Sequence, residues 1–559
     1  MREALGRDEN MVAADRTNRG AIDGPVILCL AAILGIGFLL RTQQLSDLTM
    51  HFDECCSWKI SQFSWDEMID AVSRDAHPPF YYMLMKGLGH FGGSSPTLIR
   101  SFSVFFGMAT ILAAFWFVRT ALAGANTRSE EIGHSQHDAR TPVLPVNGER
   151  VHRNFAAILA AMLVASSALH VEMSMQARPY TLGTFLTLVS ATFLVRCLWP
   201  ERAGWKPGPR VGDWIGFAVT ATMLSLTHYY CLFTVAAEFL FAGGVLVSEL
   251  WRTGWNPRTK RLLTGLGLTA WGMQAVWSLW IPVFLDQRER STQQLWMSPL
   301  DWSGLSASCW MALAGGQTST VPAQGAWLSI AVWSASFLLL MAMGTQAERL
   351  AGLCAAFPLA ATVAYGVAVR NILGAKYLIF GQTFLLVTCA LLVAHVRWRM
   401  ARVALVAGLV VWSGYWCTQH AETREHQASF PGVRGTTAYL DSQRRADEPV
   451  IVGSPFVSIV VQKYSAHPGG IYVQYRGDHR KDMLGGPPLR ESEFRDIDSH
   501  LTSDTTRAWT IDVFELFGPS SSFEYKFPSD WTLVGQKEFR EAYGMPCVLA
   551  VREYRRRIK

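Results

Sequence analysis

The run Gly24-Pro-Val-Ile-Leu-Cys-Leu-Ala-Ala-Ile-Leu-Gly-Ile-Gly-Phe-Leu-Leu40 contains no charge and ends at Arg41-Thr42-Gln43-Gln44. A bilayer crossing takes about 20 mostly apolar residues, so this run reads as a membrane span. Basic residues precede it, as in a secretory leader. Arg41–Gln44 offers no small-residue cleavage site, however, and an uncleaved first span (about 24–41) is expected. Ten further apolar stretches follow, at about 98–121, 154–172, 180–199, 212–228, 230–250, 262–285, 325–344, 350–369, 377–396 and 402–418. The apolar stretch 303–316 is shorter and reads as interfacial or re-entrant. The expected fold class is an all-α polytopic membrane protein of about 11 transmembrane helices.

Composition agrees. Half of the 559 residues are hydrophobic, 17% are charged and 21 are Trp, values that suit a membrane protein with an appended polar region. The formal charge of +6 is scattered between apolar runs, which argues against nucleic-acid binding. The ten Cys lie mostly in apolar runs, with no Cys-x-x-Cys or Cys/His ligand spacing, so neither a zinc site nor a disulfide framework is indicated. The adjacent pair Cys55-Cys56 has no reading from sequence.

Charge in the connections sets an expected orientation. With residues 1–23 as a cytoplasmic tail, the inside loops carry Arg119, Arg128, Arg140, Arg150 and Arg153, then Arg196, Arg202, Lys206 and Arg210, then Arg252, Arg258, Lys260 and Arg261, then Arg397, Arg399 and Arg402. This alternation follows the positive-inside rule, although the loop 345–349 is nearly neutral. An odd span count places residues 419–559 on the far, extracytoplasmic side. There Pro449–Gly453 reads as a buried strand, Pro455–Tyr464 as a helix with Ser454 as N-cap, and Trp509–Phe514 and Pro546–Val551 as further strands. A small α/β domain is expected after a transmembrane domain over 24–418.

The outward connections differ in kind from the inward ones. The first, 42–97, holds His51-Phe52-Asp53-Glu54 and Asp75-Ala76-His77-Pro78-Pro79-Phe80-Tyr81-Tyr82. Acids among aromatics at a membrane surface can serve as general bases; equally, Asp53 and Asp75 can cap short interfacial helices. Met175-Gln-Ala-Arg178-Pro179-Tyr180 offers a guanidinium that can grip phosphate bidentately or snorkel to headgroups. Thr227-His228-Tyr229-Tyr230 places a His and two aromatics at the interface, where aromatics also act as anchors. Arg370-Asn371-Ile-Leu-Gly-Ala-Lys376-Tyr377 puts two cations on the face where the orientation rule disfavours them, and a phosphate partner would explain them.

Taken in order, the Asp53-Glu54 pair after the first span, Asp75-x-His77-Pro78-Pro79-x-Tyr81-Tyr82, Ala177-Arg178-Pro179-Tyr180 and Lys376-Tyr377 resemble the GT-C superfamily of membrane glycosyltransferases. The branch is that of protein O-mannosyltransferases, lipid A aminoarabinose transferases and lipopolysaccharide-core sugar transferases, and the likeness covers roughly residues 24–418. It implies an inverting transfer of a hexose or pentose from a polyprenyl-phosphate sugar to a lipid, glycan or protein acceptor. It implies Asp53 as base, with Glu54 or Asp75 orienting the acceptor or sharing that role. Arg178 and Lys376, with Arg370 and His228, would steady the departing phosphate, and His77, Tyr180, Tyr229 and Tyr377 would complete the substrate site. The chemistry accounts for the charges: displacement at the anomeric carbon builds positive charge on the sugar and negative charge on the phosphate. The likeness implies no required cofactor, although a divalent cation near the site is known among relatives. Asp496-Ile497-Asp498 lies far from the motif loops and reads as a solvated pair. The expected location is the bacterial inner membrane.

A transporter or lipid flippase is the alternative class. Such proteins place ionisable groups inside spans, and Glu238 is the clearest buried acid here. The scarcity of other midplane charge argues against that class.

Overall fold

A computed structural model describes residues 22–93, 95–123, 146–200, 210–293, 299–316, 323–473, 486–490, 493, 501 and 504–557. Arg128, Arg140, Arg202, Lys206 and Asp496–Asp498 lie outside these residues. The chain is a multi-pass membrane protein, mostly helical, with a small sheet at its C-terminal end.

The membrane part opens with α1 (Gly24–Thr42). Three short helices follow: α2 (Phe52–Gln62), α3 (Trp65–Arg74) and α4 (Phe80–Gly92). The bundle continues with α5 (Pro96–Ala121), α6 (Val146–Ala165), α7 (Ala168–Ser174), α8 (Tyr180–Leu198), α9 (Val211–Ser225), α10 (Cys231–Thr253) and α11 (Pro257–Trp277). Then come α12 (Ile281–Gln293), α13 (Trp302–Leu313), α14 (Ala323–Met343), α15 (Gln346–Ala368), a 3₁₀ turn (Ala375–Leu378), α16 (Ile379–His395) and α17 (Arg399–Ala428). Each of the eleven expected apolar stretches falls on helix. Among the described residues, seven helices are long and apolar enough to cross a membrane, and up to nine spans result if each bent pair counts as one.

One of the bent pairs shows how its break is satisfied. The stretch 154–172 breaks between α6 and α7 with a 58° bend. A break strands carbonyls that a helix would satisfy, and the Arg41 guanidinium takes them, donating to Ala165 O at 2.8 Å and Val164 O at 3.0 Å. Its Nε reaches Ser174 Oγ at 3.1 Å. Gly107 leaves room for this contact, since a Cβ there would stand 2.2 Å from Ser174 Oγ. Arg41 is fully buried, which in a span requires such complete satisfaction. The stretch 262–285 likewise breaks between α11 and α12, with a 68° bend. Glu238, the acid that favoured transport, is fully buried and accepts the Ser190 hydroxyl at 2.8 Å. It joins α10 to α8.

At 30 residues, α17 is longer than a bilayer crossing requires. It leads into α18 (Gly432–Gln443), β1 (Val450–Val452), α19 (Pro455–Tyr464), β2 (Ile471–Val473), β3 (Arg507–Phe514), β4 (Ser522–Phe523), β5 (Trp531–Glu541) and β6 (Cys547–Arg556). The sheet order is β2-β1-β3-β6-β5, with β4 on β3; β2-β1-β3 are parallel and β3-β6-β5 antiparallel. Ser454 does occupy the N-cap of α19, but its hydroxyl makes no capping bond.

The sheet region grips α2. Phe456 packs edge-on to Phe52 at 4.7 Å, Lys59 donates to Gln462 Oε1 at 2.6 Å, and Lys463 lies 4.4 Å from the Trp58 ring centre. The Met50 N–H donates to the Tyr464 hydroxyl at 2.9 Å.

Candidate active site

The helix α2 begins with a capping box. His51 is the N-cap, its Nδ1 accepts the Asp53 N–H at 3.2 Å, and Glu54 Oε2 accepts the His51 N–H at 2.8 Å. Asp53 and Glu54 are neighbours in a helix, so their side chains leave it about 100° apart. That separation divides their environments.

Glu54 points into the protein and is fully buried. Arg100 clamps it through Nε to Oε1 and Nη2 to Oε2, both at 2.8 Å, and the Ala177 N–H adds a bond at 2.9 Å. Burial opposes its charge, but Arg100 and the backbone donors outweigh burial and hold the carboxyl below its usual range. Both oxygens are occupied, so Glu54 joins α2, α5 and the 175–179 turn. Arg100 was not among the residues singled out from sequence. Its signal was present: a charge near the start of an apolar span needs a partner.

Asp53 points the other way. Its Oδ2 lies 3.5 Å from Lys376 Nζ and 3.9 Å from Arg178 Nε, and its side chain is 26% exposed. Burial alone would raise this carboxyl, but Arg178 and Lys376, then His51 and His77, hold it well below the usual carboxylate range. The three separate connections expected to converge therefore do so around one carboxylate. Asp53 makes no capping bond, and the cap of α2 is His51.

Arg178 is positioned from several sides. Nη1 donates to Asp53 O at 3.1 Å, and Nη2 lies 3.1 Å from His77 Nε2. A guanidinium only donates, so His77 accepts at Nε2 and donates from Nδ1 to Asp75 Oδ2, 3.2 Å away. Tyr82 also donates its hydroxyl to Asp75. Burial pushes the Asp75 carboxyl up, yet His77, with Arg178 and Tyr82, brings it down to about 2. Asp75 stands at the C-terminal end of α3 and orients His77, which orients Arg178. The Arg178 Nε–H is buried with no hydrogen-bond partner.

Beside this cluster lies a cleft of about 400 Å³, lined by His77, His228, Tyr229, Tyr230, Arg370 and Tyr377 among others, with Leu232, Phe233 and Phe284 as apolar wall. The Phe80 N–H donates to Leu226 O at 3.1 Å, which brings the His77 loop against the His228 turn. His228 packs on His77 at 5.0 Å and on Tyr180 at 5.6 Å between ring centres. Its Nδ1 accepts the Tyr230 N–H at 3.2 Å, so a neutral ring carries its proton on Nε2, which has no partner. Burial first, then His77 and Arg178, pushes this imidazole well below its usual value, so it is neutral. Tyr230, read from sequence only as an interfacial aromatic and not as a substrate-site residue, stacks on Tyr377 at 4.6 Å. Tyr229 instead spends its hydroxyl on Gln287 and accepts Trp280 Nε1 at 3.0 Å. The hydroxyls of Tyr180 and Tyr230 and Nη1 of Arg370 are buried without partners. Buried polar groups of native proteins normally have partners, so this set implies a polar ligand or water.

The C-terminal sheet region completes the wall beside Asp53. Tyr543 packs edge-on to His51 at 6.3 Å, and Gly544, at φ +72, leaves space that a Cβ would fill 1.9 Å from His51 Cδ2. Cys55 and Cys56 are both buried in α2, where burial pushes both thiols up. They pack as small apolar groups. Among the described residues, no group of three or more His, Cys, Asp or Glu side chains is arranged to hold a metal ion.

No family model and no curated protein sequence matches the chain. Solved structures do. ArnT from Cupriavidus metallidurans in its apo state aligns with a TM-score of 0.54 at 13% identity, covering 94% of this chain and 98% of ArnT. The same enzyme bound to undecaprenyl phosphate aligns with a TM-score of 0.53 at 12% identity, covering 95% and 98%. The oligosaccharyltransferase AglB from Archaeoglobus fulgidus aligns more loosely, with a TM-score of 0.42 at 11% identity over 80% of this chain and 64% of AglB. The ArnT alignments, which span almost the whole of both chains, show a shared fold.

Proposed function

We propose that this GT-C-fold protein is an inverting glycosyltransferase that moves a sugar from a polyprenyl-phosphate donor to a hydroxyl of a lipid, glycan or protein acceptor. The observation that carries the reading is the meeting of Asp53 with Lys376 and Arg178, at 3.5 and 3.9 Å, beside a cleft of unpartnered buried donors. The likeness to ArnT, whose structure is known with undecaprenyl phosphate, supports the class of donor.

In the reaction, the acceptor oxygen attacks the anomeric carbon as its proton passes to Asp53. The bond from that carbon to the phosphate oxygen breaks on the opposite side, and the lipid phosphate leaves with the electron pair. One displacement inverts the configuration. A carboxylate held ionised by two cations is a weak base. The incoming phosphate competes for those cations, so donor binding frees Asp53 to accept a proton while Arg178 and Lys376 take up the charge of the leaving group. Asp75 and His77 act as positioning residues for Arg178. Glu54 serves in the same way by fixing α2 to the 175–179 turn, rather than as a base.

The site end of the bundle faces the non-cytoplasmic side of a bacterial inner membrane in this reading. Residues 42–97 form the outward loop and 419–559 an extracytoplasmic domain, as the Lys and Arg of the opposite loops imply. The chemistry proposed needs no cofactor.

The test is transfer from a polyprenyl-phosphate sugar by purified protein and by Asp53→Asn. Product with inverted configuration from the wild type and none from the variant is expected; undiminished transfer by Asp53→Asn removes Asp53 from the mechanism. Movement of lipid across sealed vesicles without covalent product would replace this reading with transport.

A further inference from the structure

The cleft carries more positive charge than a single leaving phosphate requires. Arg178 and Lys376 sit at Asp53, behind the His77 and Tyr377 wall. Two more arginines, Arg288 and Arg370, line the cleft itself, and among its described lining residues there is no carboxylate. Arg370 Nη1 is buried without a partner. Arg288 is exposed and forms no ion pair among the described residues. The neighbouring unpartnered polar atoms include the Nε2–H of His228, a donor, and the hydroxyl of Tyr230, which can donate. Buried donors gathered without acceptors call for a ligand rich in acceptors.

We infer that the donor bears a second anionic group, beyond the phosphate at Arg178 and Lys376, and that this group seats against Arg370 in the cleft. The inference rests on the reading above, in which the donor's ester phosphate binds at Arg178 and Lys376. The second anion is an oxyanion of the kind a guanidinium fork grips in two places. Two sources supply that chemistry: the inner, lipid-linked phosphate of a lipid diphosphate, or the carboxylate of a uronic sugar. A donor with a cationic amino sugar is disfavoured, because no acid lines the cleft to receive the amine.

The experiment uses the full chain in lipid nanodiscs and compares two pairs of probes. The first pair is undecaprenyl phosphate against undecaprenyl diphosphate. The second is glucose 1-phosphate against glucuronic acid 1-phosphate, each displacing undecaprenyl phosphate. The expected result is a preference of about tenfold or more for the doubly anionic member of one pair, the scale of one charge-assisted bond. Preference for the diphosphate identifies the second phosphate, and preference for the glucuronate identifies the carboxylate. In Arg370→Gln the ratio falls towards one. In Arg370→Lys part of it remains, and this variant carries the test if the glutamine variant does not fold. Equal affinity within both pairs, or a preference that survives Arg370→Gln, overturns the inference. Failure of the underlying reading looks different: undecaprenyl phosphate would bind equally well to wild type, Arg178→Ala and Lys376→Ala.

Discussion

Two adjacent acids on one helix should fail in opposite ways. Glu54 accepts four hydrogen bonds, two from Arg100 and one each from the Ala177 and His51 N–H groups, and both partners of the ion pair are fully buried. Glu54→Gln keeps the shape but turns one oxygen into an NH₂ that faces donors, and it leaves the Arg100 charge without its counter-ion. Breaking a buried pair in this way costs about 3–5 kcal/mol, a large part of the roughly 5–15 kcal/mol that holds a typical domain folded. Asp53 is 26% exposed, so solvent screens its pairs and Asp53→Asn should change stability by no more than about 1 kcal/mol. Its loss is chemical: removing a general base lowers turnover by about 10²–10⁴.

A third effect follows from the same geometry. A charge pair at about 4 Å is worth about 4 kcal/mol at an effective dielectric of 20, and the phosphate must displace such pairs to reach Lys376 and Arg178. With Asp53 neutral that competition ends, and after screening the affinity for undecaprenyl phosphate should rise about tenfold, or about 1.4 kcal/mol. The assays are thermal unfolding in detergent, turnover, and lipid binding for each variant. The reasoning is refuted if Asp53→Asn binds undecaprenyl phosphate more weakly than wild type, or if Glu54→Gln unfolds at the wild-type temperature.

Other perturbations test the surrounding supports. His77→Ala removes the acceptor that holds Arg178 Nη2, so the donor KM should rise about tenfold or more; an unchanged KM would show that the acceptors of Nη1, Asp53 O and Ser57 Oγ, suffice to hold Arg178. Gly544→Ala places a Cβ 1.9 Å from His51 Cδ2 at a φ of +72, so it should displace the His51–Asp53 turn and reduce turnover while the transmembrane bundle stays folded; retained turnover and an unshifted unfolding curve would remove the sheet region from that role. Stability should also depend on acid in two windows. His51 and His228 are held neutral below their ordinary value, chiefly by burial, so the unfolded chain binds more protons and stability falls as pH drops below about 6.5. Asp75, down to about 2 when folded, contributes stability that is complete above about 4 and lost between about 4 and 2. Unfolding curves across this range that are flat below pH 6.5 would contradict both.

Long apolar runs are the strongest signal a membrane sequence carries, because each must satisfy its own backbone and solvate its own surface. All eleven expected stretches fall on helix for that reason. What the runs did not reveal was where they break. The interruption between α6 and α7 depends on Arg41, which stands 124 positions from Ala165, the residue whose carbonyl it satisfies. Strands β1, β3 and β6 were legible through their buried β-branched and aromatic residues. The edge strand β5 was not, because most of its residues are exposed and leave no alternation to read.

The site shows the same division. Arg178 and Lys376 were legible because each is a charge stranded at a span end where the lipid gives no reason for it, and Asp53 because it is an acid among aromatics in the first outward connection. Glu54 could not be told from Asp53 by type or position, since both are acids in the first turn of one helix. Only the direction of each side chain separates them, and that direction is set by partners distant in sequence: Arg100 and Ala177 draw Glu54 inward, while Lys376 and Arg178 face Asp53 across the cleft wall. The same argument reassigns Asp75. An acid beside two prolines reads as a candidate base, but its oxygen is engaged by His77 and Tyr82, so its charge acts through His77 on Arg178. Of the three acids, Asp53 alone combines an exposed oxygen with cations that a phosphate can draw away, and a base needs that combination.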